Sequence, residues 1–236
     1  MNKKNMVLKL SGEAVGDASN HFSPDKMEFI ADEIVPLTED FGIALVLGGG
    51  NISRGAEIRK RLGRESTASD YVGMLNTLDN GLMLQENIEI KLGSETTRVM
   101  SRLPVSDLCE PYIPRKALSH LAKGRIVIIV GGLGEPGFST DFTMVQRAKQ
   151  LHSPVALKGT KVDGIYDRDP TTDSSAQFIP KIKHLDYISR GLKVVDADAV
   201  GQAMKYGMEI KVFNFFKKGN LRRILLDENI GSVIHK

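Results

Sequence analysis

Three glycine-rich turns follow apolar runs in this chain, and together they indicate a phosphate-binding site. They are Ser11-Gly12, Gly48–Gly50 and Gly131–Gly137. Glycine allows backbone N–H groups to approach phosphate oxygens, and a helix that begins nearby adds a favourable dipole. In an open α/β sheet such turns meet at the carboxyl ends of the strands, where ligands bind. Any one turn could be a tight connection only, but the three together predict a site for one or two phosphorylated ligands.

Charged residues beside these turns suggest what the site does. Lys9 interrupts the first apolar run, where it could hold a transferring phosphoryl group by charge or could be a solvated edge residue. Arg54 follows the second turn at a helix start, which suits a phosphate contact. Asp141 and Asp196 each stand at a helix start, where capping competes with ligand binding as an interpretation. We predict that the basic run Arg59–Arg61 is a solvated helix face.

Several other chemistries are excluded by their motifs. None of the 23 glycines is followed by lysine, which a P-loop requires. The pattern GxGxxG occurs at Gly132, Gly134 and Gly137, but it lies in mid-chain and Leu157 stands where the ribose-binding acid of a dinucleotide site is expected. The five histidines show no ligand spacing, and there is no GxSxG motif. The remaining mode of catalysis is positioning with electrostatic stabilisation, which is how phosphoryl transfer is catalysed.

Composition indicates a globular protein in a reducing compartment. The chain has 236 residues and a net charge of +3, without the basic excess of a protein that coats DNA. Cys109 is the only cysteine, so no intramolecular disulfide can form. The apolar start is interrupted at Lys9, and no apolar run approaches the roughly 18 residues of a membrane span. We expect a cytoplasmic protein with neither nucleic acid nor membrane as a partner.

Strands and helices alternate along the chain. The predicted strands are Met6–Leu10, Ala44–Leu47, Thr96–Met100, Arg125–Val130, Pro154–Leu157, Glu209–Phe213 and Ser232–His235. The predicted helices are 24–41 with a kink at Pro36, 53–62, 69–87, 116–123, 141–152, 185–190, 197–206 and 220–226. Asp163–Ser175 is predicted to be a long functional loop. This alternation predicts an α/β fold with a largely parallel central sheet covered on both faces, a three-layer αβα sandwich.

Six segments resemble, in order, those of bacterial UMP kinases, which belong to the amino acid kinase superfamily. They are Lys9–Glu13, Gly48–Gly55, Asp70–Leu75, Phe138–Asp141, Lys158–Gly164 with Asp169-Pro170, and Leu192–Asp196. The resemblance extends from Met6 to Ile234. It implies one domain over residues 1–236, with an acceptor and oligomerisation part at about 1–150 and an ATP-side part at about 151–236.

The resemblance also implies an activity, partners and site residues. The activity is transfer of the γ-phosphoryl group of Mg·ATP to UMP, giving UDP and ADP for pyrimidine nucleotide synthesis. The assembly is a homohexamer that GTP activates and UTP inhibits. The implied catalytic residues are Lys9, Arg54 and Asp196, with Asp196 orienting Lys9 or the metal and Asp141 supporting the Mg²⁺–phosphate arrangement. The implied ATP-side residues are Lys9, Leu10, Ser11, Gly12, Gly50, Arg54, Thr160, Tyr166 and Asp169. The implied UMP-side residues are Gly49, Asp70 on the ribose, Leu133, Gly134, Glu135, Pro136, Gly137, Phe138, Ser139 and Thr140.

The segment of residues 131–140, called the acceptor loop, departs from the family pattern, and this leaves alternative functions open. Leu133 removes a hydroxyl, Glu135 adds a negative charge and Gly137 removes an aromatic ring. One alternative is a sister kinase that phosphorylates a carboxylate or another phosphomonoester. A second is a nucleotide-binding regulatory or storage protein without turnover, and a third is a Rossmann dehydrogenase. Asp70 together with Ser139-Thr140 favours a nucleotide acceptor. Lys9, Arg54 and Asp196 favour turnover.

Overall fold

A computed structural model describes residues 3–17, 19–53, 55–63 and 67–236, in which strands and helices alternate. The strands are β1 (Lys4–Leu10), β2 (Phe41–Leu47), β3 (Thr97–Ser101), β4 (Glu110–Pro111), β5 (Ile126–Val130), β6 (Val155–Thr160), β7 (Ile165–Tyr166), β8 (Phe178–Ile179), β9 (Lys181–Lys183), β10 (Glu209–Asn214) and β11 (Ser232–His235). The helices are α1 (Pro24–Ile34), α2 (Gly55–Leu62), α3 (Thr67–Leu92), α4 (Pro114–Ala122), α5 (Thr140–Gln150), α6 (His184–Ser189), α7 (Ala197–Tyr206) and α8 (Asn220–Leu225).

One nine-stranded sheet organises the molecule, in the order β4-β3-β5-β2-β1-β6-β10-β11-β9. Its neighbouring strands are parallel except for the antiparallel pair β10 and β11. The strands β7 and β8 form a separate antiparallel pair. Because β1 lies between β2 and β6, its carboxyl end opens at the middle of the sheet edge. The predicted α/β fold with a largely parallel sheet is confirmed.

Alternate residues of the central strands enter two separate cores, one on each face of the sheet. Leu8 and Leu45 pack with residues of α1, α3 and α8 in one core. Val7 and Val46 pack with residues of α4, α5 and α7 in the other. Successive strand residues point to opposite faces, so strands that are covered on both faces read as nearly continuous apolar runs. Of the helices in the described part of the chain, none has the length and apolar character of a membrane span.

The structure differs from the sequence prediction where local signals are weak. α1 ends at Ile34, and a 3-10 turn at Val35–Leu37 replaces the predicted continuation to residue 41. Pro36 explains this end, since proline removes a helical N–H donor and its ring clashes with the preceding turn. The segment predicted as a loop from Asp163 contains β7, which pairs with β8. Strands of two residues, such as β4, are too short to show an apolar period.

Candidate active site

Two lysines and one aspartate meet near the carboxyl end of the central strands. Lys9 of β1 and Lys158 of β6 are register partners on adjacent parallel strands, so they lie side by side on one face. Asp141, in the first turn of α5, lies against both. Its Oδ1 is 3.0 Å from Nζ of Lys9, and its Oδ2 contacts Nζ of Lys158. Lys9 is 7% exposed and Asp141 is 2% exposed. Lys9 is therefore a buried residue of a central strand and not a solvated residue of an edge strand.

The two lysines keep Asp141 ionised. Burial alone raises the pKa of a carboxyl, but the charges of Lys9 and Lys158 outweigh it and hold the pKa of Asp141 well below its usual range. Burial lowers the pKa of Lys158, against the opposing attraction of Asp141. The backbone N–H of Asp196 donates to Oδ2 of Asp141 at 3.2 Å. Asp141 therefore orients two ammonium groups that could stabilise charge on a phosphoryl group.

The N-terminal cap of α5 explains why Asp141 can face the lysines. The hydroxyl of Ser139 accepts a hydrogen bond from the N–H of Phe142 at 3.2 Å and serves as the cap. Asp141 is thereby available to turn into the protein instead of capping its own helix. At α7 the cap position is Asp196, whose side chain makes no capping hydrogen bond. Asp141, and not Asp196, is the carboxylate that contacts Lys9 in the structure.

The turns after β1 and β2 are pressed against each other. A Cβ atom at Gly12 would lie 2.6 Å from the backbone nitrogen of Gly50, so a side chain there would force the turns apart. Asn80 of α3 holds the second turn from behind. Its Nδ2 donates to the carbonyl of Gly48 at 2.7 Å and to Oδ1 of Asn51 at 2.8 Å. These contacts hold the backbone of both turns in place at the sheet edge.

The turn after β5 is fixed by two helices. Gly131 and Gly132 have φ angles of +72° and +55°, in the left-handed region that favours glycine. The N–H of Gly131 donates to Oγ1 of Thr77 at 2.7 Å. Arg147 donates to the carbonyl of Gly132 at 3.2 Å and lies over the ring of Tyr112, 4.2 Å from its centroid. The start of the acceptor loop (residues 131–140) is thus held in one conformation.

A cavity of about 800 Å³ opens above the lysines and the three turns. Its volume is within the range of small-molecule sites, about 300–1,000 Å³. The predicted site residues that line it are Lys9, Ser11, Gly12, Gly49, Gly50, Asp70, Gly137, Phe138, Ser139, Thr140 and Asp196. The structure therefore brings these sequence-predicted residues together around one space.

Other predicted site residues lie away from the cavity wall. Among the described residues these are Leu10, Leu133, Gly134, Glu135, Pro136, Thr160, Tyr166 and Asp169. The side chain of Leu10 is completely buried in the core. Thr160 ends β6, and Tyr166 packs on Phe178 with ring centroids 5.4 Å apart. The predicted phosphate contact Arg54 lies outside the described residues.

Sequence reasoning missed two charged residues of the site. Lys158 had no assigned role, although it interrupts a buried strand in the same way as Lys9 does. Arg59, predicted to be solvated with its neighbours, instead forms an ion pair with Asp70 and lines the cavity. That prediction was wrong for Arg59 because the fold places the start of α3 beside α2, which nothing in the local sequence shows.

Fold and site together define a class of protein: a parallel α/β protein whose glycine turns and paired lysines are arranged to handle phosphoryl groups. The model of the amino acid kinase family matches residues 4–214, and the chain belongs to that family. A uridylate kinase from Mycobacterium sp. (strain KMS) is 43% identical over 230 residues, which cover 97% of this chain and 90% of the relative. The solved structure of a UMP kinase from Bacillus anthracis has a TM-score of 0.92 and 36% identity, covering 100% of this chain and 97% of that one. That of a UMP kinase from Ureaplasma parvum has a TM-score of 0.90 and 30% identity, covering 100% of both chains. These similarities do not favour a dehydrogenase or a protein without turnover.

Proposed function

We propose that this protein transfers the γ-phosphoryl group of Mg·ATP to UMP, giving UDP and ADP. The observation that carries the proposal is the buried group of Lys9, Asp141 and Lys158 beneath the cavity. It places two positive charges at the sheet edge, where a transferring phosphoryl group would lie between two nucleotides. The relatives named uridylate kinase and UMP kinase match over nearly the whole chain and support UMP as the acceptor.

The reaction needs charge stabilisation rather than a general base. A phosphate monoester has its second pKa at about 6, so the acceptor phosphate is largely dianionic at neutral pH. One of its oxygens attacks the γ-phosphorus while the bond to the bridging oxygen of ADP breaks. Lys9, which lines the cavity, stabilises the negative charge of the transferring group, and Lys158 adds its charge from beneath while Asp141 keeps both ammonium groups in position. The N–H groups of the glycine turns add hydrogen bonds to phosphate oxygens.

We place the ATP phosphates and UMP in the cavity and the adenosine of ATP beyond its wall. The ATP phosphates contact Lys9, Ser11, Gly12, Gly50 and Arg54, and the adenosine lies beside Thr160, Tyr166 and Asp169, past the end of β6. UMP lies beside Gly49, Asp70 and the acceptor loop from Gly137 to Thr140. Phe138 is 45% exposed at this end and packs on Phe142 with centroids 4.6 Å apart, so it offers a ring face to uracil. Residues 1–150 then supply the acceptor side of one domain and residues 151–236 supply the ATP side.

The cavity wall suits a magnesium ion that is held mainly by ATP phosphates and water. Such an ion needs only one or two protein carboxylates. Asp196 and Asp198 line the cavity at the start of α7 and can supply them. Asp141 is a poor direct ligand because its two oxygens contact lysines. When bound, Mg²⁺ neutralises part of the phosphate charge.

We also propose that the protein forms a homohexamer. One stripe of α3 exposes apolar side chains at helical spacing: Val72 is 41% exposed, Leu75 46% and Met83 39%. An exposed apolar stripe of this kind marks an interaction surface, and a second copy of the chain would cover it. Activation by GTP and inhibition by UTP rest on the resemblance of the six sequence segments. The single Cys109 fits a cytoplasmic setting.

The test is ADP release from Mg·ATP with UMP, CMP, dUMP or no acceptor. Turnover with UMP well above the other reactions is the expected result, and ATP binding without acceptor-dependent turnover would contradict the proposal. Lys9→Ala or Asp196→Asn should lower turnover by about 100-fold or more, since each removes a charge that acts on the phosphoryl group or its ion. Asp70→Ala should mainly raise KM for UMP. An effect on KM for ATP alone would show that the two sides are reversed.

A further inference from the structure

The hydroxyl of Tyr187 lies against the backbone of Val195, one residue before Asp196. It donates a hydrogen bond to the carbonyl oxygen of Val195 at 2.9 Å and accepts one from the N–H of the same residue at 2.6 Å. Tyr187 belongs to α6, whereas Val195 lies between α6 and α7, and both residues are completely buried. One side chain therefore satisfies both backbone polar groups of a buried residue that belongs to no helix or strand.

The backbone is held at the next residue as well. In a pair of antiparallel strands, a partner residue bonds both the N–H and the C=O of the residue opposite, and the Tyr187 hydroxyl does the same for Val195. The N–H of Asp196 then donates to Oδ2 of Asp141 at 3.2 Å. The carbonyl oxygen of Asp196 accepts the N–H of Val200 at 3.1 Å, in the first turn of α7. These contacts fix the chain where it enters α7.

The side chain of Asp196 depends on this backbone for its direction. Asp196 occupies the N-cap position of α7, but its carboxylate makes no capping hydrogen bond. The side chain is exposed and lines the cavity. The direction in which the carboxylate leaves the chain is therefore set by the backbone of Val195 and Asp196, and Tyr187 holds the first of these two residues.

A tyrosine suits this position because its hydroxyl stays protonated. Burial raises the pKa of Tyr187 above its usual range, and the negative charges of Asp141 and Asp196 act in the same direction. A protonated hydroxyl donates to a carbonyl and accepts from an N–H at the same time. A phenylalanine would fill the same space but would leave the N–H and the C=O of Val195 without this partner.

We propose that Tyr187 is a positioning residue for phosphoryl transfer: its hydroxyl fixes the backbone of Val195 and so directs the carboxylate of Asp196 into the cavity. This proposal rests on the proposed function, in which Asp196 lies beside the phosphates and can supply a magnesium ligand. Tyr187 does not itself line the cavity, so its effect reaches the reaction through the backbone. Misplacement of a reacting or catalytic group by about 1 Å can lower turnover about 100-fold.

Four variants separate this role from a general effect on folding. Tyr187→Phe removes the hydroxyl and keeps the ring. Tyr206→Phe is the matched control, because Tyr206 lies on α7 itself but its hydroxyl donates to the side chain of Gln146, at 2.9 Å. Asp196→Asn and the double variant Tyr187→Phe/Asp196→Asn complete a double-mutant cycle. Circular dichroism melting establishes that each variant is folded at the temperature of the assay.

The ADP-release assay should show an effect on kcat that depends on Asp196. Tyr187→Phe should lower kcat about tenfold and leave KM for UMP within about twofold of the wild-type value, since the acceptor loop is unchanged. The double variant should be slower than Asp196→Asn by less than about threefold, because the hydroxyl acts through that carboxylate. Tyr206→Phe should match the wild type.

Amide hydrogen exchange of residues 192–198, measured by mass spectrometry without nucleotide, tests the contact independently of activity. The N–H groups of Val195 and Asp196 both donate hydrogen bonds, so this segment should be protected in the wild type. It should exchange about tenfold faster or more in Tyr187→Phe and at the wild-type rate in Tyr206→Phe. If Tyr187→Phe does not fold, the wild-type measurement decides, since an unprotected segment would contradict the contact.

Two kinetic results would overturn the role of Tyr187. One is an unchanged kcat in Tyr187→Phe. The other is a double variant that is slower than Asp196→Asn by the full factor that Tyr187→Phe shows alone, because the hydroxyl would then act independently of Asp196. Failure of the proposed function is distinguishable: the wild-type protein would show no UMP-dependent ADP release, whereas exchange in Tyr187→Phe would still be faster.

Discussion

Replacing Asp141 by asparagine tests whether the two buried lysines depend on its charge. The amide keeps the size of the side chain but removes the negative charge between Lys9 and Lys158, whose side chains are 9% and 12% exposed. Removing one partner of a buried ion pair leaves an uncompensated charge and costs about 3–5 kcal/mol of unfolding free energy. Here two like charges would then face each other. We expect Asp141→Asn to lose stability in that range and to lose phosphoryl transfer.

The pH dependence of this loss follows from the lowered pKa of Asp141. A carboxyl whose pKa is lower in the folded protein than in the unfolded chain, about 3.9, stabilises the fold above that value. Its contribution is lost as the pH falls through the folded-state pKa. The difference in unfolding free energy between the wild type and Asp141→Asn should therefore be constant between about pH 5 and 8 and should shrink below about pH 4.

Urea denaturation across that pH range measures the difference. Asp186→Asn is the control, because Asp186 is exposed on α6 and its replacement should change the unfolding free energy by less than about 0.5 kcal/mol. The double variant Asp141→Asn/Lys158→Met removes one of the two unpaired positive charges. It should recover part of the unfolding free energy but none of the activity. If Asp141→Asn is as stable as the wild type at pH 7, the account of this site is refuted.

Three further replacements test separate parts of the site. Lys158→Met should lower kcat by about 100-fold or more in the ADP-release assay, since it removes one of two charges on the transferring group; a normal kcat would assign that work to Lys9 alone. Gly12→Ala places a Cβ 2.6 Å from the nitrogen of Gly50 and should weaken calorimetric ATP binding about tenfold or more, because the phosphate-binding turns must separate. Thr77→Val leaves the N–H of Gly131 without its acceptor at 2.7 Å and should cost about 1–3 kcal/mol in urea denaturation, while Thr77→Ser should not.

The central sheet could be predicted from the sequence because its strands are buried on both faces. The apolar run predicted as Arg125–Val130 is β5, Ile126–Val130, with one residue of difference. Burial on both faces makes such a run continuous, so its limits are marked by the first polar residues. The two-residue strands β4, β7 and β8 could not be found in this way, because their pairing depends on distant parts of the chain.

The site could be predicted only in part. Residue types show which side chains can do chemistry, but they do not show which side chains come into contact in the fold. Lys9 was a candidate because it interrupts an apolar strand beside a glycine turn, with a solvated edge residue as the alternative. The partner of Lys9 could not be predicted, because the choice of Asp141 over Asp196 depends on how α5 packs across β1 and β6. Arg59 looked solvated for the same reason, because its partner Asp70 belongs to the next helix, α3, and the local sequence does not show that α2 and α3 come together.

Two cation–carboxylate arrangements, one beneath the cavity and one in its wall, differ in their burial. The lysines beside Asp141 are nearly excluded from water. Breaking their contacts with Asp141 would leave unpaired charges in a medium that does not solvate them, so the two ammonium groups stay fixed when a phosphate binds. The pair of Arg59 and Asp70 is partly hydrated, so it can break and re-form at little cost. The buried group can therefore hold a transferring phosphoryl group in a fixed position, whereas the more exposed pair joins α2 to α3 at the rim of the cavity.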